Sequence, residues 1–180
     1  MAVVQARGGG RTAPRLVSML IACLCLTSLL SVGCSEVPRL EDAFESDDAL
    51  ARAVLEGMAR RDHPGLLALA VTKDEFEELV WPTLPVSRPE VDMPLDFVWQ
   101  DTFTKSHAYL AQTLASVGGR RYELVRVEFD GPTTEHGTHE ISRKSRLIVR
   151  DDGGQERMLR LFGSVIRQNG RSKVFSYITD

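Results

Sequence analysis

The stretch SVIRQNGRSKVFSYI, residues 164–178, decides the fold because it predicts a β-hairpin close to the end of the chain. At its centre lies Asn169-Gly170, a pair typical of the type I′ turn, in which both central residues need positive φ. Counting outward from this turn fixes which residues face each other across the two strands. The expected pairs are Val165–Val174 and Leu161–Ile178 on one face, and Phe162–Tyr177 and Ser164–Phe175 on the other.

Both faces of this hairpin carry apolar side chains, so one face is expected to cover the helices and the other needs a second cover. That cover is a dimer partner, a ligand or the proline-rich segment 82–94. A homodimer formed through the outer sheet face would use Phe162, Phe175 and Tyr177. Cross-strand contact between exposed aromatic side chains is the simpler alternative.

Alternating sequences before the hairpin extend it into an antiparallel meander of four strands. The segment Asp151-Asp152-Gly153-Gly154 supplies the preceding turn, and a three-residue loop there places Leu147 opposite Leu159. The strands are expected at 122–129, 138–150, 155–168 and 171–178.

Helical periodicity dominates the chain before residue 119. Ser46 is expected to cap a first helix that stops at 62–65, and shorter helices are expected at 64–70 and from Thr72 to Pro82. A long helix is expected from Leu95 to Val117, ended by Gly118-Gly119. Its apolar stripe comprises Leu95, Trp99, Phe103, Ser106, Leu110, Leu114 and Val117.

The order of these elements predicts an α+β fold, in which N-terminal helices, one of them long, pack on a curved antiparallel meander of at least four strands. Residues 46–180 are long enough for this to be one domain with an ordinary core. Residues 34–45 are polar and are expected to be a tether.

Residues 1–33 have the pattern of a secretory signal peptide. Three arginines come first, an apolar run follows from Leu16 to Leu30, and Ser31-Val32-Gly33 leads to Cys34. A cysteine in this position resembles the lipidation site of a bacterial lipoprotein, which predicts export and lipid attachment to a membrane of the cell envelope through Cys34. Ser31 stands where such signals usually have leucine, and an uncleaved anchor of 18 residues from Leu16 to Gly33 is the alternative.

The cysteine and charge counts argue against several functions that depend on thiols or on positive charge. Cys23 and Cys25 would leave with the signal peptide, so the mature domain has no thiol for a disulfide, a metal or a nucleophile. The chain has 22 Lys and Arg against 25 Asp and Glu; without Arg7, Arg11 and Arg15 the counts are 19 and 25, a net charge of −6. This balance argues against binding to nucleic acid. No cofactor is expected, since no nucleotide-binding glycine loop or nucleophile elbow is visible.

The element order, together with the stretches RRDHPGLL at 60–67 and FSYI at 175–178, is similar to the nuclear transport factor two-like superfamily of cystatin-like α+β cones. The resemblance implies that the sheet and helices enclose a conical pocket, which family members use for catalysis or for binding small ligands. In the related isomerases a sheet aspartate acts as the base beside a pocket tyrosine. Tyr122 and Tyr177 are available here, but no aspartate aligns with that role.

The candidate pocket residues lie around the start of the long helix. Trp81, Trp99 and Phe103 are expected to line an apolar pocket, and His107 borders the same stripe. With Tyr122 or Tyr177, His107 is the candidate for acid–base chemistry, because histidine titrates near neutral pH.

One short cluster has the residue types of a zinc site, although no metal is expected from it. His136, His139 and Glu140 lie close together in sequence, but a three-residue step on a strand separates the two imidazoles. They would converge only if Gly137 turns the chain.

Three functions remain open. The expected one is a membrane-anchored, non-catalytic binding domain for a small apolar ligand or a partner protein. The first alternative is an isomerase- or dehydratase-type enzyme acting on a small organic substrate. The second is a structural envelope protein whose pocket is filled by its own side chains.

Overall fold

The computed structural model describes residues 38–179, and these form an α+β fold with four helices and two antiparallel sheets. The predicted fold class is confirmed at this level. The predicted signal peptide, Cys34 and the first residues of the predicted tether lie outside the described residues.

The helices begin and end close to their predicted positions. Helix α1 is capped by Ser46, whose Oγ accepts a hydrogen bond from the Ala49 amide at 3.1 Å, as predicted. The helix predicted from Thr72 starts with a capping box between Thr72 and Glu75. It does not continue as a regular α-helix, because a π-helical turn follows and then a 3₁₀ turn that contains Pro82. The helices are α1 Asp47–Arg60, α2 His63–Ala68, α3 Lys73–Glu75 and α4 Leu95–Val117, with a π-helical turn at Phe76–Val80 and 3₁₀ turns at Trp81–Thr83 and Pro85–Ser87.

Two of the four predicted strands are each broken into two. The strand predicted at 138–150 bends at Lys144, which has a φ of 56°, and the strand predicted at 155–168 is interrupted between residues 160 and 163. The halves join different sheets, with strand orders β1-β4-β5 and β2-β3-β6-β7. The strands are β1 Glu123–Phe129, β2 Thr133–Glu135, β3 Glu140–Arg143, β4 Ser145–Arg150, β5 Glu156–Leu159, β6 Ser164–Gln168 and β7 Arg171–Ser176.

The predicted registers are confirmed in part. Val165 lies opposite Val174, and Leu147 lies opposite Leu159. The predicted pairing of Ser164 with Phe175 is wrong, because the register shifts between Ser164 and Val165 and Ser164 lies opposite Ser176. A bulge of this kind cannot be read from alternation alone, since alternation assumes one residue on each strand per step.

The buried apolar side chains form two clusters. The first joins α1 to both sheets and contains Met58, Leu147, Phe162 and Tyr177. The second lies around β3 and β6 and contains Phe76, Ile141 and Ile166. Helix α4 contributes to both, with Leu110 and Leu114 in the first cluster and Val98 and Trp99 packed against the second.

The segment 38–44, which we call the strap, lies along β6 and β7 and helps to cover the second cluster. Leu40 and Ala43 are buried there, and the backbone of Phe44 exchanges hydrogen bonds of 2.9 and 2.7 Å with that of Ser172. This part of the predicted tether is therefore bound to the sheet. The second apolar face of the hairpin is covered by the strap and the segment around Phe76, within one chain.

The sheet face predicted to form a dimer is not exposed in this fold. Phe162 and Tyr177 are fully buried in the first cluster, and Phe175 packs against the second cluster. The three side chains do not share an exposed face of this chain, and the homodimer itself stays a prediction. No helix of residues 38–179 is apolar over enough length to cross a bilayer.

We expect Gly163→Ala to destabilise the fold strongly. A Cβ at this position would lie 1.6 Å from the carbonyl oxygen of Ile178, and both groups are backbone, so the sheet itself would have to move. The free energy of unfolding should fall by at least about 2 kcal/mol, measured by urea denaturation followed by circular dichroism.

Gly153→Ala is the matched control, because its Cβ would meet only the Asp151 side chain, at 3.3 Å. Its free energy of unfolding should change by less than about 0.5 kcal/mol. Equal denaturation midpoints for the two variants would contradict the close approach at Gly163.

Candidate functional site

A chain of ring contacts runs along α4 and brings the four predicted pocket residues together. Trp99 contacts Phe103 at 5.6 Å between ring centroids, and Phe103 contacts His107 at 4.1 Å. Phe76 joins Trp99 to Trp81, with centroid distances of 5.4 and 6.5 Å. We call the set Trp81, Phe76, Trp99, Phe103, His107 and His63 the aromatic row.

Helical spacing explains the central part of the aromatic row. Trp99, Phe103 and His107 follow one another at four-residue steps, which places them on one face of α4. On this face Trp99 and His107 are half-buried, and Phe103 between them is 40% exposed. The row is therefore a partly exposed apolar surface.

The segment that contains Phe76, Trp81, Trp99 and Phe103 of the aromatic row is acidic. Lys73 pairs with Asp96 and Lys105 pairs with Asp101, each at 2.6 Å, and both pairs are exposed. Residues 73–105 carry seven exposed acidic side chains and only three basic ones, so the remaining charge is negative. The acids are Asp74, Glu77, Glu78, Glu90, Asp92, Asp96 and Asp101, and the bases are Lys73, Arg88 and Lys105.

His107 lies at the end of the row, where its ring meets that of His63 edge-on at 5.5 Å. Burial, and to a smaller degree the neighbouring His63, lowers the pKa of His107, which favours the neutral imidazole. Its Nε2 has no hydrogen-bond partner among residues 38–179. Among residues 38–179, burial and His63 are the influences on its pKa, and no carboxylate contributes.

The two candidate tyrosines are placed elsewhere. Tyr177 is fully buried; its hydroxyl donates to the Leu66 carbonyl, and its backbone N–H donates to Ser106 Oγ at 2.9 Å. Burial raises the pKa of Tyr177, so its hydroxyl stays protonated and structural. Tyr122 lines an open groove of about 620 Å³ between α1 and β1, together with Arg52 and Arg121. His107, Tyr122 and Tyr177 therefore do not converge on one polar site.

The chain turns at Gly137, which was the condition for the two loop histidines to converge, and their rings meet. Gly137 has a φ of 69°, and the rings of His136 and His139 stack at 5.3 Å. Glu140 instead accepts a hydrogen bond from Arg167 at 2.8 Å. Within the described part of the chain, no three His, Cys, Asp or Glu side chains converge to hold a metal ion.

Sequence reasoning missed two members of the aromatic row and one polar network. Phe76 and His63 reach the row from outside α4, through contacts that no local spacing indicates. Arg167 bonds Asp47, Glu140 and Ser142 and lies 4.9 Å from the Phe129 ring. Each of these contacts depends on the tertiary fold, so local spacing does not indicate it. For the Arg167 network, the charge pattern of β6 was the one signal in the sequence.

No family model, curated protein or solved structure matches this chain. The resemblance to the nuclear transport factor two-like superfamily therefore remains a prediction.

We expect protonation of His139 to destabilise the fold. His139 is only 4% exposed, and neither ring nitrogen has a hydrogen-bond partner in the described region. Burial, and to a smaller degree the neighbouring His136, lowers the pKa of His139 in the folded state. The unfolded chain then binds more protons, so stability is lost as pH falls from about 6.5 through the folded-state pKa.

The variant His139→Phe should remove part of this loss, measured as the slope of unfolding free energy against pH between about pH 7 and pH 5. His136→Phe makes the same ring change at a less buried neighbour and should alter the slope less. Equal slopes for the wild type and His139→Phe would contradict a buried neutral imidazole.

Proposed function

We propose that this protein is an exported bacterial lipoprotein, attached to an envelope membrane through Cys34, whose domain binds a partner protein without catalysis. The observation that carries the binding role is the aromatic row, in which Phe103 is 40% exposed and lies against the half-buried rings of Trp99 and His107. Large apolar side chains left exposed next to one another are typical of interaction surfaces.

The packed interior favours a surface site over an internal pocket. Phe162, Tyr177, Leu161 and Met58 are fully or almost fully buried in the first cluster, where they occupy space between the helices and the sheets. The bend at Lys144 and the interruption between β5 and β6 support a strongly curved sheet of the cone type, as in the superfamily that the sequence resembles. In such a cone these side chains would fill the pocket.

The charge around the aromatic row indicates the chemistry of the partner. The row is apolar along α4, and exposed acids outnumber bases in residues 73–105. An amphipathic helix with an apolar stripe and basic flanks would complement both features. A purely apolar small ligand would use the rings alone and would be indifferent to the acids.

We expect an amphipathic helical peptide of leucine and lysine to bind the full chain and to change the fluorescence of Trp81 and Trp99. The variant Phe103→Asp should weaken binding at least about tenfold, because it places a carboxylate in the centre of the row. Titration calorimetry would measure the dissociation constant, and the fluorescence shift would locate the contact.

Phe97→Asp is the matched control for this experiment. Phe97 is on the same helix and is 63% exposed, but it is rotated by about a third of a turn around the helix axis relative to Phe103. It should change affinity by less than about twofold. Equal losses in both variants would reject the row as the binding surface, and binding of an apolar fluorophore without the peptide would favour a small ligand.

Attachment at Cys34 has a separate test. Cys34→Ala should remove the acyl chains and leave the precursor uncleaved, measured by mass spectrometry of the N-terminal peptide and by detergent phase partition. Cys25→Ala should remain lipidated, because Cys25 lies in the apolar run of the signal peptide. Acylation of the Cys34→Ala variant would rule out this site.

A further inference from the structure

The strap is attached to the sheet from its first described residue onward. The buried Gln168 side chain donates from Nε2 to the Pro38 carbonyl and accepts from the Leu40 amide at Oε1, both at 2.9 Å. The Arg171 guanidinium donates from Nε to the Ala43 carbonyl at 2.9 Å. These bonds hold both ends of the strap at the β6–β7 hairpin.

Only Ser35, Glu36 and Val37 separate Pro38 from Cys34. Four residue steps span at most roughly 14 Å when fully extended. Any group bonded to Cys34 is therefore kept within that distance of Pro38, and Pro38 is hydrogen-bonded to the last residue of β6.

We propose that the strap orients the domain so that the end carrying the β6–β7 turn and the loop before β3 faces the membrane. This inference rests on the proposed lipid attachment at Cys34. Thr138 and Asn169-Gly170 line the same shallow depression, so the loop and the turn lie side by side at this end. All three are exposed and uncharged. The same depression is also lined by Glu135, Glu140 and Arg167, of which the last two are hydrogen-bonded to each other, so it suits contact with a headgroup layer that contains zwitterionic lipid.

Strands β3 and β4 follow each other along the chain, with the bend at Lys144 between them. The start of β3 lies at the membrane-facing end, and the end of β4 would then point away from the membrane. Thr138 precedes β3, and Asp152 follows β4 in an exposed turn. The two positions therefore report on opposite ends of the same pair of consecutive strands. The mature chain has no cysteine besides Cys34, whose sulfur the lipid occupies, so an introduced thiol can be labelled alone.

The test uses the full lipidated protein in phosphatidylethanolamine–phosphatidylglycerol vesicles that contain a headgroup-linked quencher. A fluorophore on Thr138→Cys should be quenched several-fold more strongly than one on Asp152→Cys. Equal quenching, or stronger quenching at Asp152→Cys, would overturn the orientation while leaving lipid attachment intact. Absence of lipid on Cys34 by mass spectrometry would overturn both proposals.

A second pair of variants tests whether the strap causes the orientation. Gln168→Ala removes both hydrogen bonds to Pro38 and Leu40 and should reduce the difference in quenching between the two labels. Gln155→Ala changes an exposed glutamine in the distant turn and should leave that difference unchanged. An unchanged difference in Gln168→Ala would show that the strap does not set the orientation.

Discussion

The buried ion pair between Glu75 and Lys173 joins segments of this fold that are far apart in sequence. Both side chains are 5% exposed or less, and Lys173 Nζ lies 2.9 Å from each carboxylate oxygen. Glu75 also accepts hydrogen bonds from the backbone amides of Glu41 and Thr72, at 2.7 Å each. One carboxylate thus connects the strap, the start of α3 and β7. Removing either partner would leave an uncompensated buried charge, which costs about 3–5 kcal/mol in other proteins.

This pair requires β7 to be covered on both sides. Lys173 and Phe175 face the second cluster, while Val174 and Tyr177 face the first. Strand β7 is the last strand in the order β2-β3-β6-β7, and both of its faces are buried. Two buried faces need two layers of cover, and the chain supplies the second layer from its own strap and from the segment around Phe76. The apolar character of both hairpin faces, which suggested a dimer, is explained by burial within one chain.

Local sequence patterns predicted the elements well and their relative placement poorly. Helix α4 has its predicted bounds because its four-residue apolar spacing and Gly118 are local signals, and the grouping of Trp99, Phe103 and His107 follows from the same spacing. The bend at Lys144 could not be predicted, because positive φ at a lysine is imposed by the surrounding sheets and not by its own preference. Tyr177 looked like a surface or pocket residue for a similar reason, since its partner Leu66 is 111 positions away.

The strap and the aromatic row are two sides of the same apolar cluster, and this links attachment to binding. Leu40 and Ala43 of the strap are members of the second cluster, and Trp81 and Trp99 of the row pack against it. Interiors are close-packed, so a displaced strap would leave a void that the neighbouring rings would relax to fill. If the strap holds the domain at the membrane, a force on the strap would thus act next to the surface proposed to bind the partner. The position of the strap and the shape of the aromatic row are therefore expected to be coupled, because both pack on the second cluster.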